Sequence, residues 1–535
     1  MPHLAALIAN VGNHDVRLKE QIEINGEIVE GFLRGQDEDP NPRKSRYYEY
    51  SKYIYEHYED YKNVIEFPIL EPLLSYLKNK KEALLSKIII FTTKQEPTFS
   101  KDTYYVAMLF QKHVENIINN MKNNPQLKRE WGKFYEQLAG KKPAVVTISS
   151  NPSSMDTMFH FYSQELARIH TKDKGMTEIF YYSLTGGTPA MNNMMFMHGL
   201  KQFSNKAKFI YLPHGSKNPD TLDIGNILLK EEYVKNLRES IEIYEYYSAI
   251  EYLEHKKEEF DNPRITRSLL QLLRYAHYRQ SFDFQSAIDA VDGFSPGNTN
   301  AHIREGVRRL SDEIEEIVEN LKEKKMQKKE IMNAMKELYW NAFMLYKKGQ
   351  FIDFCGRLFR FQEESLKQLL YRLPVETKED GRKLDETWLQ SNPDLMRFLQ
   401  NYKKKKEIIP IDVSADFTRL ATTAIIEFYI QKGETAFKPI LDKIKLFDSL
   451  SSKRNYSIMA HGFSSVSKED IFNAFKKNGL PMSSIDDLES ALSSVMREII
   501  CFIFPEVTED DFSSEKNVYH KINQPMFELL KQLCD

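Results

Sequence analysis

The chain has 535 residues, and its 74 Lys and Arg nearly balance 77 Asp and Glu to leave a formal net charge of −3. That length exceeds one ordinary core and predicts two or three domains, while the charge balance excludes a strong global field for nucleic acid, so any RNA contact must come from a local patch. Cys355, Cys501 and Cys534 match no metal-ligand spacing, no apolar run reaches membrane-spanning length and Met1 opens no leader, so a cytoplasmic chain with no membrane partner is expected.

Leu4 to Ala9 is a continuous apolar run that empties into Asn10-Val11-Gly12-Asn13-His14-Asp15, the pattern of a buried strand ending in a polar loop. Residues 87–93, 144–150, 179–185 and 208–212 repeat it, and helical patterns at 104–121, 155–169 and 190–203 separate them. Strands alternating with helices predict a parallel α/β sheet wound on both faces, Rossmann-like, over residues 1–232. Residues 31–61, rich in charge and tyrosine with Pro40 and Pro42, read as an insertion: a mobile loop leading into a helix.

Ligands of such sheets bind beyond the carboxyl ends of the strands. Those ends carry Asn10, Gly12, Asn13, His14 and Asp15, then Thr93 and Lys94, then Ser150, then Thr185-Gly186-Gly187-Thr188-Pro189 with Asn192 inside the next helix. Two glycines permit close backbone approach, Pro189 suits the first helical position, and free amides at the helix start favour a phosphate. Alone, this turn could equally just let strand meet helix, because it lacks the endings of a P-loop or a dinucleotide fold. His14, between Asn13 and Asp15, is as apt to be solvated as to touch ligand; His198, among methionines, reads as a core or boundary residue.

From Glu231 onward the strand pattern gives way to amphipathic helices at 233–256, 265–278, 284–291 and 303–322, a helical connector over residues 233–330. The basic runs at 322–329 and 403–406 read first as solvated faces. An all-α domain is expected over residues 331–535, with an apolar stripe of Phe351, Phe354, Leu358, Phe361, Leu366 and Leu369 on one helix and no strands. Within it stands Arg454-Asn455-Tyr456-Ser457-Ile458-Met459-Ala460-His461, then Gly462. In a helix, a seven-residue step returns to nearly the same face about 10.5 Å further on, which places a phosphate-gripping guanidinium and a proton-carrying imidazole on one side.

The N-terminal order of Asn10 to Asp15 after the first strand and Thr185 to Pro189 after a late one resembles the CARF domain of CRISPR-associated proteins. The helical end resembles a HEPN nuclease, whose pattern is Arg, four to six residues, then His; six intervene here, and polar Asn455 follows the arginine. The resemblance implies a type III CRISPR accessory ribonuclease, a homodimer that acts on single-stranded RNA when a cyclic oligoadenylate binds the CARF domain. It needs no stable association with the interference complex. Cyclic tetra-adenylate is expected over cyclic hexa-adenylate, and no cofactor. Arg454 and His461, assisted by Asn455, match the catalytic set, and the strand-end residues match the activator site. The chemistry would need no metal, and some CARF domains also degrade their activator slowly, for which His14, Thr185 or Thr188 would be candidates. The competing expectation is a non-catalytic ligand-sensing protein whose helical half binds RNA or protein.

Overall fold

The computed structural model describes residues 3–35, 45–80, 83–138, 141–297, 300–322, 328–378, 383–404, 407–412, 417–450 and 463–534. They form two compact units, 1–232 and 233–535.

The first unit is built on a six-stranded sheet of β1 (His3–Asn10), β2 (Ala83–Thr93), β3 (Ala144–Ile148), β4 (Ile179–Ser183), β5 (Ala207–Tyr211) and β6 (Asp220–Leu222). Its order is β6-β5-β4-β1-β2-β3, parallel throughout except for β6, which runs antiparallel to β5. Side chains alternate across a strand, so β1 serves two cores at once. Ala5, Leu7 and Ala9 join one, with Tyr47, Tyr50 and Ile54 of α1 (Tyr47–Glu56), Leu73 and Leu77 of α2 (Leu70–Asn79) and Phe110 and Val114 of α3 (Tyr104–Asn123). Ala6 and Ile8 join the other, with Met158 and Tyr162 of α4 (Met155–Asp173) and Met191 and Met195 of α5 (Pro189–Phe203). Each fully buried large aliphatic side chain contributes roughly 1.5–3 kcal/mol relative to exposure.

Of the 31–61 insertion, α1 buries its tyrosines in the first core, and residues 36–44 lie outside the described residues. Just before it, Ile22–Ile24 and Glu27–Glu30 form a hairpin whose turn is Asn25-Gly26, with φ of 53° and 84°. That pair is the preferred chemistry for a two-residue turn matched to strand twist.

The second unit is helical. Residues 233–256, expected as one helix, are the end of Ile224–Glu242 followed by Tyr246–Lys256. The break is a left-handed Tyr244, φ 61°, after which the Glu245 amide donates to Ser240 O at 2.8 Å. This is a Schellman-type end made without glycine, so no sequence signal marks it. The principal helices that follow are α6 (Pro263–Gln280), α7 (Ala301–Lys322), α8 (Lys328–Lys347), α9 (Phe351–Tyr371), α10 (Arg419–Gln431), α11 (Lys468–Lys477), α12 (Leu488–Ile503) and α13 (Val518–Cys534). The expected stripe on α9 is the buried one, with Phe354, Leu358, Phe361, Leu366 and Leu369 inside. The expectation of no strands is corrected by a two-rung antiparallel ladder, Lys403–Lys404 with Glu407–Ile408, formed by the basic run itself.

A polar network is buried among these helices. Arg279 of α6 meets Glu337 of α8 at 2.9 Å with both side chains at most 5 % exposed. The Arg279 guanidinium also donates to Tyr275 Oη at 2.6 Å and to Leu310 O at 3.1 Å. Asn341 of α8 donates to Tyr519 Oη of α13 at 3.0 Å and accepts from Arg357 of α9 at 2.7 Å.

Candidate functional site

The central strand β1 delivers Asn10 to the carboxyl edge of the sheet, and β4 delivers Thr185 to the same edge one strand away. The two loops interlock through their glycines. A Cβ on Gly12 would lie 2.7 Å from Gly187 N, and one on Gly186 would lie 2.6 Å from Asn10 O. Gly186 and Gly187 also hold φ of 92° and 68°, where a side chain is strained whatever the space.

Side chains lock this contact. Asn10, fully buried, donates to Asn192 Oδ1 at 2.8 Å and accepts from the Tyr162 hydroxyl at 2.5 Å. Asn192 returns the link by donating to Gly186 O at 2.7 Å. Asp15, also fully buried, accepts the Gly12 amide at 2.6 Å, and burial pushes its carboxyl up to about 8 against the lowering effect of that amide.

The other strand ends are tied in as well. Thr103, ahead of α3, donates its hydroxyl to Val11 O at 3.2 Å, and its own amide bonds Thr93 Oγ1 at 3.1 Å. Lys94 is exposed, with Nζ 4.9 Å from the centre of the Tyr104 ring. Ser150 is exposed beyond β3, and the Thr188 hydroxyl donates to Pro152 O of that same loop. His14 is exposed with its ring edge-on to Phe32, centroids 4.9 Å apart.

The helix start offers fewer free amides than its sequence promises. Pro189 has none, Met191 N is capped by Thr188 Oγ1 at 3.2 Å, and Asn192 N bonds Thr188 O at 3.1 Å. The donors left are the Gly186, Gly187 and Ala190 amides, which make no hydrogen bond among the described residues. Thr185 is structural on one side, its hydroxyl accepting Leu212 N at 2.7 Å. Asn10 and Asp15, expected to touch a ligand, are buried: Asn10 joins the two loops through Tyr162 and Asn192, and Asp15 bonds the Gly12 amide of its own loop. Asn13, His14, Lys94, Ser150 and the glycine amides form the accessible edge. Backbone amides of this kind and an exposed lysine are groups suited to a phosphodiester. His198 is buried against Phe159, ring centroids 4.5 Å apart, and burial lowers its proton affinity, as a core histidine requires.

Sequence reading missed Tyr162, Thr103 and Tyr47. Tyr162 lies on the apolar face of a helix, and nothing in its spacing distinguishes a hydroxyl that reaches Asn10 from an ordinary core ring.

In the helical unit, Arg454, Asn455 and His461 lie outside the described residues, so their geometry carries no statement. The flanks are described. Phe447 precedes the segment and Phe475 of α11 follows it, and the Phe447 ring meets both Phe361 of α9 and Phe475 at 5.8 Å. Gln362 of α9 donates to Asp448 Oδ1 at 2.9 Å and accepts from Arg419 at 2.8 Å, fixing the approach to residue 451.

Residues 323–478 match the family model described as Csm6 HEPN domain, a span that encloses Arg454 to His461. Among solved structures, Enterococcus italicus Csm6 bound to cyclic hexa-2′-fluoro-hexa-dAMP is similar in fold, with TM-score 0.56 and 12% identity over 99% of this chain and 100% of that one. The HEPN match thus falls within the helical unit, and the likeness of the whole chain to that Csm6 is one of fold. No curated protein matches it. The interlocked loops stand at the carboxyl edge of the α/β sheet, and the Phe447 junction lies inside the HEPN match.

Proposed function

We propose that this protein is a cyclic oligoadenylate-activated endoribonuclease that cleaves single-stranded RNA in type III CRISPR antiviral defence. The observation that carries the reading is the Csm6 HEPN match over 323–478, enclosing an arginine and a histidine seven positions apart; that family implies a ribonuclease. The glycine amides and Lys94 of the CARF unit support a phosphate-rich activator, as does the cyclic hexanucleotide bound by the similar Csm6.

In the proposed reaction the RNA 2′-oxygen attacks the adjacent phosphorus. A bond from O2′ to phosphorus forms, the bond from phosphorus to O5′ breaks, the 2′-hydroxyl proton departs, and the leaving oxygen takes a proton. The products are a 2′,3′-cyclic phosphate and a 5′-hydroxyl. His461 moves the protons, Arg454 grips the phosphate and stabilises its developing charge, and Asn455 orients groups; no metal takes part. A homodimer in the cytoplasm, joining two Arg–His pairs, gives a nearly symmetric ring something to align, provided the ring binds the aligned state more tightly.

The test is RNA cleavage by the full-length protein in EDTA with linear AMP oligomers, cyclic tetra-adenylate or cyclic hexa-adenylate. Cleavage is expected only with a ring, and His461→Ala is expected to lower it at least ~100-fold. Cleavage abolished by EDTA, or retained by His461→Ala, defeats the mechanism; equal cleavage without a ring defeats the activation. The tetra-adenylate is the ring proposed from the motifs, and the neighbour's six-membered ring supports hexa-adenylate as the second reading.

A further inference from the structure

The junction between the two CARF loops contains a carboxyl group whose chemistry the binding role leaves unexplained. Asp15 is fully buried, and among the described residues one of its oxygens accepts only the Gly12 amide at 2.6 Å and the other has no hydrogen-bond partner. Its Oδ2 stands 2.8 Å from where a Cβ of Gly186 would be. We propose that Asp15 is a positioning residue that, as an uncharged acid, clamps the Gly12 turn in place against Gly186, and that the activator binds only while Asp15 keeps its proton.

The surroundings explain why charge would be harmful. From α1, the buried Tyr47 faces the carboxyl, and its ionisation is suppressed by burial and then by the Asp15 charge. From Asp15's own loop comes the Gly12 amide, and from the opposite loop Thr185, Gly186, Gly187 and Thr188, all uncharged. Among the described residues, the cation nearest in sequence is turned elsewhere: Arg17 is exposed and lies 3.7 Å from Glu66. A carboxylate taken out of water with one neutral donor and no cation is costly, so the group keeps its proton instead, consistent with a carboxyl pushed up to about 8. A phosphodiester drawn to the Gly186 and Gly187 amides brings a second negative charge to the same junction. Binding and deprotonation therefore oppose each other.

This inference rests on the proposed activator site, and the experiment separates the two. Binding of cyclic tetra-adenylate and cyclic hexa-adenylate to the full chain is measured by calorimetry from pH 6.5 to 9.5, for wild type, Asp15→Asn and Asp15→Ala. Asparagine reproduces the neutral acid, with one acceptor and one donor, and cannot ionise. Wild-type Kd is expected to change little below pH 7.5 and to rise up to about tenfold per pH unit above 8, while Asp15→Asn varies less than about twofold and binds as well as wild type at low pH. Asp15→Ala, lacking the clamp, is expected to bind weakly at every pH; should it not fold, the asparagine comparison stands by itself. An equal slope in wild type and Asp15→Asn, or a flat wild-type profile with tight binding, overturns the Asp15 assignment and leaves the sensing role intact. No binding of either ring at any pH overturns both.

Discussion

Asp15 links the chemistry of one side chain to the stability of a domain. Its folded-state proton affinity is raised, so the native protein holds a proton that the unfolded chain has lost between about pH 4 and pH 8. The group thus favours folding fully below its unfolded value and loses that contribution as pH rises through the folded one. Replacing it by asparagine removes the dependence: Asp15→Asn is expected to gain stability over wild type progressively between pH 4 and 8, with the difference constant above that, measured by urea denaturation at several pH values. A difference that shrinks over that range would contradict the assignment. Asn10 is the neighbouring case. Its residue type and position at a strand end were legible, but its task was not, because the partners that occupy it, Tyr162 and Asn192, come from helices 152 and 182 residues away in sequence. Short-range pattern carries no record of such pairings.

At the scale of elements, the alternation of apolar runs and helices placed β1 to β5 and α3 to α5 within a few residues. What escaped has physical causes. Strand β6 is three residues long, Asp220–Leu222, too short and polar to show a period. The 22–30 hairpin hides in a charged stretch and is betrayed only by Asn25-Gly26. The glycines of the Thr185 loop were legible as close-approach positions, and the geometry gives that approach a cost. Gly186→Ala would set a methyl group 2.6 Å from Asn10 O at φ 92°. It is expected to destabilise the CARF unit by about 2 kcal/mol or more through backbone strain and overlap, and to abolish ring binding while the helical unit stays folded, as followed by calorimetry and hydrogen exchange. Alanine at Gly26, where nothing lies within 4 Å of a Cβ, is the control for φ strain alone.

At the scale of the whole molecule, the division into an α/β unit ending at Glu232 and a helical unit beginning at Tyr233 followed the loss of strand pattern in the sequence. The helices expected as a connector share that second compact unit with the HEPN helices, joined in part by the Arg279–Glu337 pair. No pattern of apolar residues predicts a buried ion pair between helices 58 residues apart. Removing one member leaves a charge without its partner, so Glu337→Ala is expected to cost roughly 3–5 kcal/mol in urea unfolding of the helical unit, whereas Arg279→Met with Glu337→Leu together cost little. A small loss from the single change would mean that Tyr275, the Leu310 carbonyl and Glu313, 3.8 Å away, suffice to hold the guanidinium.

The Phe447 ring, in edge contact with α9 on one side and α11 on the other, has a consequence for engineering. Phe447, ahead of residues 451–462, and Phe475, beyond them, thus belong to one aromatic cluster of the bundle. Closing a loop between preset anchors costs free energy only logarithmically in its length. A different segment of similar span could therefore be exchanged between Leu450 and Phe463, with the contacts of Phe447 to Phe361 and Phe475 expected to keep the flanks in place.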